Sequence, residues 1–93
     1  MKLAKLTVDL RLHGCRSLKE KRQRLRKLKD KFGKNSTLAV CESDYQDSHQ
    51  LSQWTFVSCG GSATVVEQTL NEIEQYVAFS VDAEVVGVER TWL

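Results

Sequence analysis

Apolar and polar side chains alternate from Ala4 to His13, close to the start of the chain. From Lys2 to His13 the sequence reads K-L-A-K-L-T-V-D-L-R-L-H, and every even position from Ala4 to Leu12 is apolar. Because successive side chains of a β-strand point to opposite faces, this pattern predicts a strand with one buried face. We therefore expect a sheet that the rest of the chain covers on one side.

A strongly basic segment, Arg16 to Lys34, follows this strand and predicts a helix. Ser17 and Glu20 form an S-x-x-E capping box, in which each side chain satisfies a backbone amide of the other. Apolar residues then recur at helical spacing in a narrow stripe, and Gly33 ends the pattern. The stripe consists of Leu18, Leu25, Leu28 and Phe32. We expect three long basic stems to flank it, those of Lys21, Arg22 and Lys29.

The middle of the chain predicts a hairpin of two strands, Thr37–Tyr45 and Leu51–Cys59, joined by the polar turn Gln46–Gln50. The inward face of the first strand stays open, because its apolar residues fall on both faces. In the second strand Trp54 and Phe56 share one face. Their aromatic-x-aromatic spacing is also that of RNA modules that stack bases on a sheet. Strand one offers no exposed aromatic partner, so we interpret both rings as core residues.

The last third of the chain predicts a helix and a strand. Gly60, Gly61 and Ser62 interrupt the pattern, and apolar residues then recur at intervals of three and four. The pattern comprises Val66, Thr69, Leu70, Ile73 and Val77, all apolar except Thr69, on a helix that also carries Glu67, Glu72 and Glu74. The segment Glu84–Trp92 predicts a fourth strand, with Val86, Val88 and Trp92 on one side.

The resulting order of elements, β-α-β-β-α-β, is that of the split ferredoxin-like unit. We therefore predict an α+β chain with a ferredoxin-like βαββαβ fold, in which a four-stranded antiparallel sheet has two helices on one face. Ninety-three residues suffice for one core, so residues 1–93 are expected to form a single domain.

Charge is distributed very unevenly along the sequence. The segment Arg16–Lys34 carries ten Lys and Arg against two acids, a balance of +8, whereas the other residues sum to −6 and the chain to +2. Arrayed basic side chains bind polyanions by releasing condensed counterions. The alternatives are a solvated helix face and partial pairing with the acidic second helix.

Three motifs resemble a known family. They are H-x-x-x-S-L-K-E-K-R at His13–Arg22, E-x-D-x-Q-D at Glu42–Asp47, and the terminal V-E-R-x-W-L. The chain resembles the YlxP-like family of small bacterial proteins, and the resemblance spans nearly the whole length. It implies a ferredoxin-like fold and a role near RNA, with ribosomal RNA or the small ribosomal subunit as partner. His49 departs from the family pattern, in which many members resemble D-x-W.

Charge and resemblance together predict a non-enzymatic, RNA-binding function. We expect backbone contacts, with little sequence specificity, from eight residues, namely Arg16, Lys19, Lys21, Arg22, Arg24, Arg26, Lys27 and Lys31.

A second candidate site lies where the end of strand one, the start of the first helix and the hairpin meet at one edge of the sheet. Topology predicts that His13, Asp44, Asp47 and His49 could converge there beside Arg16 and Lys19. Imidazole and carboxylate groups can perform acid–base chemistry. The less favoured alternative is a phosphate-ligand enzyme of acylphosphatase type, with its loop at Gly14-Cys15-Arg16. The typical loop sequence of acylphosphatases is absent, so catalysis is not the preferred interpretation.

Cysteine and histidine spacing indicates no metal or cofactor. Cys15, Cys41 and Cys59 lack the paired spacing of a structural zinc site. Cys59 is also expected on the order of 25 Å from His13, at the other end of a strand. An odd number of cysteines suggests free thiols in a reducing compartment. With no apolar run long enough for a membrane span or a signal peptide, the sequence predicts a cytoplasmic protein that does not bind membranes.

A third class of function is protein interaction. Each edge strand of the predicted sheet exposes unpaired backbone groups, and pairing across such an edge would give a symmetric homodimer.

Overall fold

The computed structural model describes residues 1–93 and contains six regular elements, which confirm the predicted order. Their bounds are β1 (Lys2–Arg11), α1 (Leu18–Phe32), β2 (Leu38–Asp44), β3 (Leu51–Gly60), α2 (Ala63–Ser80) and β4 (Glu84–Trp92). Strand β1 ends two residues before the predicted His13. At this point the Leu12 amide donates to the Gln50 carbonyl at 2.8 Å, outside the strand ladders.

The four strands form one antiparallel sheet in the order β2-β3-β1-β4. Strand β1 is central and pairs with both β3 and β4, whereas β2 pairs only with β3. Strands β2 and β4 are therefore the two edges. With both helices on one face of this sheet, the chain has the predicted ferredoxin-like α+β fold.

One cluster of buried apolar side chains joins the sheet to both helices. The even positions of β1, from Ala4 to Leu10, are at most 2% exposed, as the alternation predicted. Trp54 and Phe56 of β3 are 7% and 0% exposed, so both rings belong to the core and do not stack bases on the open face. Phe32 of α1 packs edge-on against Phe56, with ring centroids 5.8 Å apart.

The two edge strands, β2 and β4, show features that the alternation pattern did not determine, namely the inward face of β2 and a break in the period of β4. In β2, Leu38 and Val40 pack against the core. In β4, Val88 lies opposite Val8 on the helix side, but a register shift leaves Val86 without a partner on β1. Val88 and Trp92 share a face as predicted, since they lie opposite Val8 and Ala4, whereas a β-bulge interrupts the two-residue period at Val86.

Local backbone signals set where both helices begin. The Ser17 hydroxyl accepts a hydrogen bond from the Glu20 amide at 3.0 Å, which caps α1. Ser62 caps α2 in the same way, through the Val65 amide. Neither helix is both long enough and apolar enough to cross a bilayer.

Candidate nucleic-acid interface

The basic residues of the segment Arg16–Lys34 divide into two mostly buried bases, Lys21 and Arg24, and an exposed group. Lys21 is only 3% exposed. Its ammonium donates to the carbonyls of Tyr45 and Ser48, at 2.7 and 2.8 Å, and lies 2.9 Å from the Glu42 carboxylate. All three N–H donors of this lysine are thus used inside the protein. Lys21 is not available to a phosphate, contrary to its predicted place among the RNA-binding residues.

Arg24 is the second internal base, with a side chain that is 15% exposed. Its guanidinium contacts the carboxylate and the carbonyl of Asp82, the carbonyl of His13 and the carboxylate of Glu20. These bonds join α1 to the loop after β1 and to the connection that follows α2. Arg24 therefore also leaves the predicted RNA-binding set.

The other bases between Arg16 and Lys31 form an exposed surface, which we call the basic face. It comprises Arg16, Lys19, Arg22, Arg26, Lys27, Lys29 and Lys31, all exposed. One ion pair engages this face, between Arg26 and Asp30 at 3.5 Å, and both partners are solvent-exposed. Exposed pairs of this kind are weak, so the positive charge of the face remains available to a polyanion.

A groove of about 730 Å³ runs beside the basic face, between α1 and the edge strand β2. Arg22, Arg26 and Lys29 line it from the helix. They follow one another at three- and four-residue intervals, so they stand in a row along one side of α1. Lys29 was absent from the predicted set, although its spacing from Arg22 and Arg26 was visible in the sequence.

The floor of the groove is apolar and includes Leu25, Val40 and Trp54. The indole Nε1 of Trp54 is buried and has no hydrogen-bond partner. At one end, the Lys21–Glu42 pair bridges helix and strand, and the Ser52 hydroxyl donates to Glu42 at 2.5 Å. The buried Lys21 ammonium and the partly buried Glu42 carboxylate therefore compensate each other.

The predicted edge site is only partly assembled. Asp47 and His49 line a shallow depression of about 490 Å³ together with Arg11 and Cys15. His13 does not join them, because its imidazole lies 3.1 Å from the Glu84 carboxylate on β4. Asp44 instead accepts a hydrogen bond from the Tyr45 amide within the hairpin.

Ser48, and not Asp47, closes the hairpin turn. The Ser48 amide donates to the Tyr45 carbonyl, and the Ser48 hydroxyl accepts from the Leu51 amide. Asp47 makes no hydrogen bond or ion pair, although it lines both the depression and the groove.

The loop Gly14-Cys15-Arg16, at the acylphosphatase position, leads the chain from β1 towards α1. Gly14 adopts a left-handed conformation with φ of +71°, and the buried Cys15 thiol donates to the Ser17 carbonyl at 3.4 Å. All three cysteines are free thiols, and no three His, Cys, Asp or Glu side chains are grouped so that they could hold a metal ion.

The sequence model of one protein family, described as a protein of unknown function (DUF503), matches residues 3–90. The chain belongs to this family. The basic face and the groove both lie within the residues that match DUF503. No curated protein matches the chain.

Sequence reasoning missed the groove of this DUF503 protein because no local pattern encodes the distance between a helix and an edge strand. It also missed the burial of Lys21, for which a signal existed. Lys21 stands three residues after Leu18 and four before Leu25, on the apolar stripe itself.

Proposed function

We propose that this DUF503 protein is a non-enzymatic module that binds the phosphate backbone of structured RNA through the basic face. One observation carries the proposal, namely that seven basic side chains are exposed on one helix segment with a single weak acidic partner among them. Concentrated positive charge gains affinity for a polyanion by releasing its condensed counterions. Backbone contacts of this kind position a nucleic acid without reading its sequence.

The resemblance to YlxP-like proteins supports a more specific partner. On that basis we propose ribosomal RNA or the small ribosomal subunit, and a role in translation or ribosome maturation. Fold alone supports neither, because ferredoxin-like domains serve many functions.

Charge reversal tests the proposal directly. The variant Arg22→Glu with Arg26→Glu reverses two exposed bases, and we expect its affinity for ribosomal RNA to fall by about tenfold or more, because both phosphate contacts become repulsive. The matched control, Lys2→Glu with Lys5→Glu, makes the same change in net charge on β1, away from the basic face. It should keep its affinity within about threefold, since only long-range attraction is lost.

Affinity is measured at one fixed salt concentration, with circular dichroism as the check that each variant is folded. Equal losses in both double variants would show that only net charge matters, which would contradict a binding surface on α1.

A second candidate function is self-association through the edge strand β4. This strand exposes Val86, Val88 and Trp92, at 54%, 48% and 49%. Exposed apolar residues on an unpaired edge favour pairing with another strand. Antiparallel pairing of β4 with β4 of a second copy would give a homodimer that carries two basic faces.

A further inference from the structure

The buried indole N–H of Trp54 is the unexplained polar group of this fold. Trp54 is only 7% exposed, yet its Nε1 atom has no hydrogen-bond partner. Buried tryptophans usually find an acceptor for this donor, and an unsatisfied buried group in a native structure requires an explanation. A ligand that brings an acceptor to this position would supply one.

The Trp54 side chain also borders a cavity of a size that suits a ligand. It contributes to the floor of the groove between α1 and β2, whose volume of about 730 Å³ falls within the ~300–1,000 Å³ of small-ligand sites. Leu18, Leu25 and Val40 add apolar surface to the lining of the groove. The site therefore suits a flat, largely uncharged group.

Charges are separated between the mouth of the groove and its interior. Arg22, Arg26 and Lys29 stand along the helix side and belong to the basic face. Inside, Lys21 and Glu42 compensate each other at 2.9 Å. Asp47 lines the same groove and has no hydrogen-bond or ion-pair partner. Its carboxylate can therefore accept a hydrogen bond from a ligand.

We propose that the groove binds one unpaired nucleobase of the RNA whose phosphates lie on the basic face. A ring nitrogen or carbonyl of the base accepts from the Trp54 indole, its exocyclic amino group donates to Asp47, and neighbouring phosphates contact Arg22 and Lys29. The neutral base suits the interior of the groove, where the charges compensate each other, and the anionic backbone suits the basic side chains at its mouth. The inference rests on the proposed function and narrows its substrate to RNA with bulged or single-stranded nucleotides.

An acidic peptide fits the same groove less well. A carboxylate placed inside would meet the uncompensated Asp47, and the amide groups of an extended peptide would face a mostly apolar floor.

Adenine and cytosine carry both a ring acceptor and an amino group, whereas uracil lacks the amino group. A bulged adenosine should therefore bind better than a bulged uridine.

Tryptophan fluorescence tests the proposal at the site itself. In the variant Trp92→Phe the indole of Trp54 is the only one left, and Trp92 lies on β4, at the opposite edge of the sheet. This variant is titrated with three RNA hairpins, which are fully paired or carry a single bulged adenosine or uridine. We expect Trp54 fluorescence to change with the bulged adenosine only, and that hairpin to bind about fivefold more tightly than the paired one.

A second variant separates the base contact from the backbone contacts. Asp47→Ala should reduce the ratio of bulged to paired affinity to near one, because the base loses its acceptor while the phosphate contacts remain. The control Glu72→Ala removes one exposed acid from α2 and should leave that ratio unchanged. The ratio cancels the general gain in RNA affinity that follows from losing a negative charge.

The outcomes distinguish this inference from the proposed function. If all three hairpins bind equally and Trp54 fluorescence stays constant, the nucleobase site is overturned while the RNA-binding proposal stands. If no hairpin binds at low salt, both are overturned. If poly-glutamate changes Trp54 fluorescence and RNA does not, the groove is a peptide site and the inference is wrong.

Discussion

Lys21 shows at the scale of one residue how a base can belong to the core of a strongly basic helix. Its stem lies on the apolar stripe of α1, and its ammonium ends against Glu42 and the carbonyls of Tyr45 and Ser48. A long side chain can bury its methylene stem and still satisfy its charge at the tip. Lys21 thus joins α1 to the β2–β3 hairpin, and its role is structural.

The substitution Lys21→Ala should lower the free energy of unfolding by about 3 kcal/mol, because it leaves the Glu42 carboxylate without its partner. Urea denaturation monitored by circular dichroism measures the change. Lys19→Ala, two residues before Lys21 on the exposed side of α1, serves as control and should alter stability by less than about 0.5 kcal/mol.

A combined variant, Lys21→Met with Glu42→Gln, removes both charges and should recover most of the loss, since neither partner is then stranded. If Lys21→Ala and Lys19→Ala prove equally stable, the internal ion pair contributes nothing and the assignment of Lys21 to the core is contradicted.

The three free thiols should differ in reactivity according to their burial. Cys41 is exposed, Cys59 is half-buried and Cys15 is buried. We expect a thiol reagent to modify Cys41 first, Cys59 more slowly, and Cys15 only when the protein unfolds. Mass spectrometry of peptides after timed labelling gives the order. Rapid labelling of Cys15 under native conditions would contradict the packing of the loop before α1.

At the scale of elements, the loop between β1 and α1 sets where the basic helix begins. Gly14 turns the chain with a φ of +71°, and Ser17 then caps the helix. Only glycine adopts this left-handed conformation without steric cost. A change at Gly14 should therefore disturb the start of α1 more than a comparable change in a loop with ordinary dihedral angles.

Gly14→Ala should destabilise the protein by about 1 kcal/mol, because a Cβ atom is unfavourable in the left-handed region. The control Gly61→Ala lies before α2, where an added Cβ meets no atom within 4 Å and φ is not in that region. It should have little effect or stabilise slightly. Thermal unfolding of both variants makes the comparison, and a more harmful Gly61→Ala would contradict it.

The order and type of the elements were predictable because each one has a regular period. The alternation from Lys2, the capping box at Ser17 and the spacing of Val66, Leu70 and Ile73 all reflect local geometry. The bulge at Val86 was not predictable, since it depends on pairing with β1 and is invisible in β4 alone. The inward face of β2 was equally undetermined, because an edge strand is covered on one side only in part.

At the scale of the whole molecule, the basic face is not neutralised by the acidic helix beside it. Arg24, which is mostly buried, forms the ion pair between α1 and the connection that follows α2, with Asp82. Glu74 of α2 pairs instead with Arg90 of β4, at 2.8 Å. Lys31 approaches the Tyr76 ring at 5.0 Å but meets no carboxylate of α2. The charge asymmetry read from the sequence therefore persists as a surface property of the fold.

The candidate site was only half predictable from the sequence at this scale. Composition located the positive charge on α1, because ten bases in one short segment have few other interpretations. The position of α1 over the sheet decides which bases face solvent. It also creates the groove and leaves the Trp54 N–H without a hydrogen-bond partner. His13 was misplaced for a related reason, since its partner Glu84 is 71 positions away in the sequence.

If β4 mediates self-association, then Val88→Lys should convert a dimer into a monomer, because it places a charge at the centre of the apolar edge. Val65→Lys is the matched control, since Val65 is 51% exposed on α2 and does not lie on that strand. Analytical ultracentrifugation across a concentration series distinguishes the two. A wild-type protein that stays monomeric at high concentration would contradict this second function.

The salt dependence of RNA binding tests the central claim most directly. Affinity for ribosomal RNA is measured across a salt series for the wild-type protein and for Arg22→Gln with Arg26→Gln. We predict a linear log–log plot whose slope corresponds to several phosphates, and a slope lower by about two in the variant, one for each lost contact. A slope near zero, or identical slopes for both proteins, would show that the basic face of α1 does not bind the RNA backbone.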